Sequence, residues 1–249
     1  MPKIYYNKKI PADEHTLSLL HFDDPNNIVK DECGRTWYTS GSPTISTDNA
    51  IFGKALQLPN NSAQASAFGI AHFLESSDPI TLGGSDFTVD CWALHVRTSY
   101  NPYFSGLFAF YDQKNNSTWR ITPEMCNNGA FLINLNNNAA VEIMTVPSSF
   151  FDVMHHFAFV YQHGLSRLDF YLDGGLQKTF SITLNAHTYQ YLRIGAINYE
   201  SGNTTWCGTF DEFRISDCAR WTANFTPPTE PYELGEHIET RSIELSEVN

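Results

Sequence analysis

Carboxylates come first, because a pair of them can hold a cation or break a glycosidic bond. Asp211 lies in the run 207–215, where strict alternation puts it on the same face as Phe213 and Ile215. An acidic group on an apolar face is costly unless it is paired or bound to a metal. Asp211 is therefore a candidate cation ligand, and the competing expectation is an arginine partner or a turn cap. Retaining glycosidases need two carboxyls about 5–5.5 Å apart, a spacing that residues two or four apart on one strand can supply. Glu75, Glu124 and Glu142 each stand alone in the sequence. Gly-x-Ser-x-Gly, His-Glu-x-x-His and the P-loop are all absent. No catalytic residue is assigned, and the chain is read as non-enzymatic. His155 and His156 are adjacent, so a strand turns them to opposite faces and they cannot share one metal.

Aromatic side chains offer a different chemistry. The chain has 18 Phe, 12 Tyr and 5 Trp. Most should be core. An exposed ring, however, can stack on the apolar face of a sugar while a few placed polar groups fix the hydroxyls. Trp92, Tyr103, Tyr111 and Trp119 are the candidates for this role, with Asn115-Asn116 and Asn136-Asn137-Asn138 as candidate hydroxyl ligands.

Composition narrows the field. Hydrophobic residues make up 42% and charged residues 17%, a globular balance. The net charge of −12 argues against a nucleic-acid partner and suits a cation, a neutral sugar or a basic protein. The five cysteines contain no Cys-x-x-Cys pair, so they are expected as buried free thiols. The N-terminus lacks the apolar run of a signal peptide, and no stretch approaches ~18 apolar residues, so no membrane insertion is expected.

The elements that must position these residues are strands. Val89, Cys91 and Ala93 alternate with Asp90, Trp92 and Leu94. Phe157, Phe159 and Tyr161 alternate in the same way, as do Leu168, Phe170 and Leu172. Asp173-Gly174-Gly175 reads as a tight hairpin turn, and Asn127-Asn128-Gly129 as another turn. The only helical expectation is a short turn over residues 68–74. The fold class is all-β: an antiparallel two-sheet β-sandwich. An arm over 1–14 precedes the sandwich at 15–231, and an acidic tail with five glutamates and one arginine follows at 232–249.

Several segments, in order, resemble a known family. Leu19-Leu20-His21-Phe22-Asp23 resembles its opening strand, Phe52-Gly53-Lys54-Ala55-Leu56 its "FGxAL" strand, and Phe87-Thr88-Val89-Asp90-Cys91-Trp92 its "FTIExW" strand. His155-His156-Phe157-Ala158 is similar to "WHHVA", with Met154 in place of the tryptophan. The ending Gly208-Thr209-Phe210-Asp211-Glu212-Phe213-Arg214-Ile215-Ser216, then Ala219-Arg220-Trp221, is the most specific match. The chain thus resembles the concanavalin A-like, laminin G-like jelly-roll modules of bacteriophage structural proteins and bacterial surface proteins.

That resemblance implies a structural Ca2+ held by Asp211, a backbone carbonyl near Gly53 and a group near Asp23. Calcium takes six to eight oxygens, so further carbonyls and waters would complete the shell. It also implies a non-enzymatic virion structural, decoration or adhesion protein of phage type, built on a lectin-like sandwich, with cell-surface carbohydrate as a candidate ligand. The expected partners are other virion or surface proteins and further copies of the chain, and the expected location is the virion. The alternative is a carbohydrate-binding module of a bacterial surface protein, extracellular or at the cell surface. A glycoside hydrolase or lyase is a distant third.

Overall fold

The computed structural model describes residues 3–4, 14–59, 71–96, 104–113, 120–126, 128–136, 139–198, 205–233 and 243–244. In chain order the strands are β1 Lys3–Ile4, β2 Thr16–Leu20, β3 Tyr38–Ser40, β4 Thr44–Ser46, β5 Ala55–Leu58, β6 Phe73–Ser76, β7 Ile80–Leu82, β8 Phe87–His95, β9 Phe104–Gly106 and β10 Phe108–Tyr111. They continue as β11 Arg120–Cys126, β12 Ala130–Leu135, β13 Val141–Thr145, β14 His155–Gln162, β15 Arg167–Leu172, β16 Gly175–Ser181, β17 His187–Tyr189, β18 Tyr191–Ile194, β19 Gly208–Ser216 and β20 Ile243–Glu244. Two antiparallel sheets carry the sandwich. The first runs β13-β12-β11-β10-β18-β6-β3, with β9 added on β11; the second runs β16-β15-β14-β8-β19-β5-β4, with β2 added on β19.

The alternation read from sequence sets the inner faces. Val89, Cys91, Phe157, Phe159, Leu168 and Phe170 of the second sheet meet Phe108, Phe110, Phe131 and Ile133 of the first in one core. Phe159 packs on Phe108 at 5.4 Å and on Phe170 at 4.8 Å between ring centroids. Most phenylalanines are thus spent on joining the sheets. The β15–β16 hairpin closes through Asp173 and Gly174, both at positive φ, with Leu172 opposite Gly175. That is the geometry a two-residue hairpin turn with right-handed twist requires. Gly174 is doubly constrained, because a Cβ there would lie 1.9 Å from the Phe225 carbonyl oxygen.

Two expectations need correction. Phe73 and Leu74 belong to strand β6, not to a helical turn, because Leu74 alternates into the core beside Ile194; residues 68–70 lie outside the described residues. Asp211 is not in phase with Phe213 and Ile215. Glu212 adopts a φ of 50°, and the β19–β8 register slips between Asp211 and Arg214. This bulge inserts one residue and resets the alternation. Phe210, Phe213 and Ile215 all reach the core, while Asp211 stands opposite Trp92 on the other side of the strand.

Beyond β19 the segment 217–233 returns over the outer face of the second sheet. Trp221 and Phe225 stack at 4.0 Å, and both pack on an apolar patch of Ala158, Val160 and Tyr171. The described end strands pair with each other, Lys3 opposite Glu244 and Ile4 opposite Ile243.

Candidate functional site

The expected cation residues meet at one corner. Asp211 Oδ2 accepts hydrogen bonds from the backbone N–H groups of Ile51 (2.8 Å) and Phe52 (2.9 Å). Asp23 Oδ1 accepts one from the Lys54 N–H at 2.7 Å. The loop 51–54 is therefore gripped between two carboxylates. Gly53 sits in its middle at a φ of +46°, where a Cβ would come 2.1 Å from Asp23 Oδ1. The other oxygen of Asp211, Oδ1, is buried with no hydrogen-bond partner among the described residues. Burial pushes the Asp211 carboxyl up to about 7; the charges of Glu212 and Asp23 add to the rise, and the two N–H bonds oppose it.

An orphaned carboxylate oxygen of this kind is what a hard cation satisfies, and the available donors are all oxygens. The set is lean. Among the described residues no three His, Cys, Asp or Glu side chains form a metal cluster, so peptide carbonyls near Gly53 and waters would have to complete it. Beside the corner lies a cavity of about 180 Å³ lined by His21, Asp23, Asp24, Asn27, Lys30 and Glu32. Burial alone would lower the His21 pKa, but the Glu212 carboxylate 2.7 Å from its Nδ1 outweighs this and raises it.

The expected aromatic platform is dispersed. Tyr111 is fully buried, its hydroxyl donating to Glu75 and its ring stacked on Tyr191 at 5.3 Å, so it offers no free face to a sugar. Trp92 is half-buried on the second sheet, edge-on to His156. Tyr111 and Trp92 therefore occupy opposite outer faces of the sandwich and cannot serve one site. Tyr103 and Trp119 lie outside the described residues, as do Asn115 and Asn116.

Around Trp92 the second sheet's outer face is a sealed polar cluster. Asp90 accepts two bonds from Arg214, each 3.1 Å, and one from the Tyr232 hydroxyl. His156 is fully buried there and lies 3.0 Å from the Tyr232 hydroxyl. The Tyr232 ring covers the Arg214 guanidinium at 3.6 Å. Burial disfavours ionised Asp90, but Arg214 and His156 outweigh it and hold the carboxyl down at about 2.

The first sheet's outer face carries a cluster that the sequence reading left scattered. On β11, Arg120, Thr122 and Glu124 share this face, because Ile121 and Met125 point into the core. Asn134 stands opposite Thr122 on β12. Its amide bridges the two charges: Nδ2 donates to Glu124 Oε1 at 2.7 Å, and Oδ1 accepts from Arg120 Nη2 at 2.8 Å. Arg120 Nη1 reaches Asn198 Oδ1 at 3.5 Å. Gly106, opposite Glu124, makes that possible: a Cβ there would lie 2.4 Å from the backbone of Ala196 and Ile197, so only glycine lets this segment cross. Thr122 is fully buried, and its Oγ1 has no hydrogen-bond partner among the described residues. Burial raises the Glu124 pKa. Phe104, paired with Cys126 and so on the same face, is 41% exposed.

Two antiparallel sheets packed face to face, with polar side chains fixed on their outer faces, define a lectin-type β-sandwich. The chain belongs to the concanavalin A-like lectin/glucanases superfamily, whose laminin G-type family model matches residues 68–224. No curated protein matches the sequence. Among solved structures, the receptor-binding domain of botulinum neurotoxin type G is similar with a TM-score of 0.57 and 11% identity, over 83% of this chain and 48% of that one. The binding domain of Paraclostridial mosquitocidal protein 1 is similar at 0.56 and 18%, over 84% and 50%. The chain spans about half the length of these toxin domains. Domain 4 of AbnA, a GH43 extracellular arabinanase from Geobacillus stearothermophilus solved with arabinotriose, is similar at 0.56 and 14%, over 82% and 93%. At these identities the likeness shows the fold alone. Among the described residues no helix is long and apolar enough to cross a membrane.

Proposed function

We propose that the chain is a non-catalytic, lectin-like binding module and that its ligand is a carbohydrate. The observation that carries this reading is the Arg120–Asn134–Glu124 chain on the first sheet's outer face, with the unpartnered Thr122 hydroxyl inside it and an exposed phenylalanine at its side. Rigid strands hold these groups, which is how a site with few, placed polar contacts is built. The binding-domain neighbours, one of them solved with arabinotriose, support it.

Among the described residues, the nearest second carboxylate on this face argues for binding over hydrolysis. Glu142 stands opposite Leu132, and Leu132 opposite Glu124. Two strand spacings separate the acids by about 10 Å at the backbone, at the wide limit for an inverting pair. The Leu132 strand runs between them, and Glu142 Oε1 is taken by the Thr145 hydroxyl. The purified chain is expected to bind immobilised oligosaccharides without generating new reducing ends. Hydrolysis of a bound glycan would overturn the non-catalytic reading.

We also propose Ca2+ at the Asp23–Gly53–Asp211 corner in a structural role, supported by the orphaned Asp211 Oδ1. A virion structural role is a second reading. The β1–β20 ladder joins the two ends of one chain, and the same ladder formed between copies would link subunits. Light scattering on the purified protein tests it: a stable oligomer supports the reading, and a monomer at all concentrations contradicts it.

A further inference from the structure

One end of the sandwich is held by a histidine with no acceptor for a second proton. We infer that His95 is an acid-operated latch: a proton added to its ring releases the turn 148–152 and opens this end of the core. The latch is independent of the ligand that the module takes.

His95 is the last residue of β8 and is 2% exposed. It joins two segments. Its carbonyl accepts from the Asp152 N–H at 3.0 Å, which ties down the 3-10 turn Ser148–Phe150 and the residues just after it. The next residue, Val96, donates its N–H to the Cys207 carbonyl at 2.8 Å, which holds the segment entering β19. Between the two segments the imidazole lies nearly perpendicular to Trp206, at 4.6 Å, and to Phe151, at 5.7 Å.

The hydrogen bonds fix the position of the proton. His95 Nδ1 is 3.0 Å from the Val96 carbonyl oxygen, which can only accept, so the neutral ring carries its one proton there. Nε2 is then the basic nitrogen. It is buried and has no hydrogen-bond partner among the described residues. Acid adds its proton at Nε2, between aromatic rings, where no oxygen receives the new N–H. A buried charge without a partner is costly. Burial accordingly lowers the His95 pKa to about 4, against smaller opposing effects of the Val96 carbonyl and the Asp152 charge.

The neighbouring titratable groups leave Nε2 without a partner. Asp152 acts on the ring by its charge and makes no bond to Nε2. Cys207 is a buried free thiol. His155 on β14 stacks on Phe150 at 4.4 Å and closes the far side of the turn. Both of its nitrogens face oxygens, Asp173 Oδ2 at 2.7 Å and the Phe150 carbonyl at 3.1 Å. His95 has such an acceptor on one nitrogen alone.

The two rings around Nε2 differ in how firmly they are held. Trp206 is fully buried, and its indole N–H donates to the Leu94 carbonyl at 2.8 Å. Phe151 is half-buried, follows a single 3-10 turn, and precedes Asp152 at a φ of 63° and the exposed Val153. Local opening draws on segments with few buried contacts. Water therefore reaches Nε2 by lifting of the turn 148–152, which uncovers Phe150 and Phe151. An opened chain takes up the proton at the ordinary value of 6.5, and the closed one at about 4. Closure is thus complete above 6.5 and weakens as pH falls to 4, by on the order of a hundredfold in the closing equilibrium.

The test is amide hydrogen exchange of the full chain by NMR from pH 7 to pH 4, with the His95 ring resonances followed alongside. Corrected for the intrinsic rate, protection at Phe150 and Asp152 should fall by about tenfold or more relative to Phe159 in the core. The ring should titrate well below 6.5. His95→Gln keeps a donor for the Val96 carbonyl and cannot take the proton, and His95→Phe keeps a ring. In both, protection of the turn should no longer depend on pH. Melting curves identify a variant that fails to fold, and the wild-type exchange and titration then decide alone. Unchanged protection down to pH 4 would overturn the latch. So would a His95 ring that titrates near 6.5 with the turn closed, or an acid response that persists in folded His95→Gln.

Discussion

The two outer faces of the sandwich use the same kinds of residue to opposite ends. Each buries an arginine beside a carboxylate and surrounds it with aromatic rings. On the second sheet, the chain itself closes the cluster: Trp221, Phe225 and Tyr232 from segment 217–233 lie over His156 and Arg214, and Asp90 has three side chains around it. On the first sheet, Arg120, Asn134 and Glu124 form a chain that ends beside an unpartnered hydroxyl and an exposed ring. The first arrangement is a seal, and damage to it should cost stability. The second is a buried polar chain beside an exposed ring, and on the carbohydrate reading damage to it should cost binding. Identical chemistry serves structure or recognition according to whether the molecule supplies the last partner itself.

The largest effect should come from breaking the seal at its centre. Asp90→Asn leaves Arg214 buried without its counter-charge, a loss of about 3–5 kcal/mol in breaking one side of a buried pair. Urea unfolding should show the midpoint fall with the slope unchanged. Because the folded pKa of Asp90 lies near 2, below its ordinary value of 3.8, its stabilisation is present above about pH 4 and is lost as pH falls through 2. Trp221→Ala should follow, removing the ring that stacks on Phe225. The half-buried position puts its cost at about 2–3 kcal/mol, below that of a fully buried tryptophan.

The cation corner should show an intermediate effect with a distinctive pH dependence. The folded Asp211 pKa, about 7, lies above its ordinary 3.8, so the native state holds a proton that the unfolded chain has released. Without metal, stability should therefore decline as pH rises from about 4 to about 7. His21, raised by Glu212, acts in the same direction: its contribution is complete below about 6.5 and is lost as pH rises through its folded value. Adding Ca2+ at pH 8 should raise the melting temperature, and Asp211→Asn should abolish that rise. Equal calcium responses in Asp211→Asn and wild type would remove the ion from this corner.

The smallest change in stability should come from Thr122→Val. It replaces an unpartnered buried hydroxyl with a methyl of the same shape, so the melting temperature should hold or rise slightly. On the carbohydrate reading, affinity for an oligosaccharide should fall all the same. Opposite signs for stability and binding are what separate a recognition surface from a seal.

Much of this was legible in the sequence. Alternation over 87–95 and 155–162 gave the core faces directly, because regular strands have period two. The pairing of Asp23, Gly53 and Asp211 came from the family pattern, but the phase of Asp211 did not, since a bulge at Glu212 leaves no mark in hydrophobic alternation. Tyr111 was misjudged because residue type says nothing about which rings the fold covers. The Glu124–Asn134 contact does have a signal in the sequence. Centring the β11–β12 hairpin on the turn at Asn128 places Thr122 opposite Asn134 and Glu124 opposite Leu132, which gathers the three polar side chains on one face. Phe104 was less accessible to such reasoning, because β9 and β10 share one edge of β11 with their registers one residue apart, an irregularity that alternation does not reveal.

The most direct test of the contrast between the two faces is a backbone NMR titration with an oligosaccharide. We expect shifts confined to β9, β11 and β12, around Phe104, Thr122, Glu124 and Asn134, with the 217–233 segment unmoved. Shifts centred on Trp221, Phe225 and Tyr232 would show that the second sheet is the recognition surface and would contradict the account.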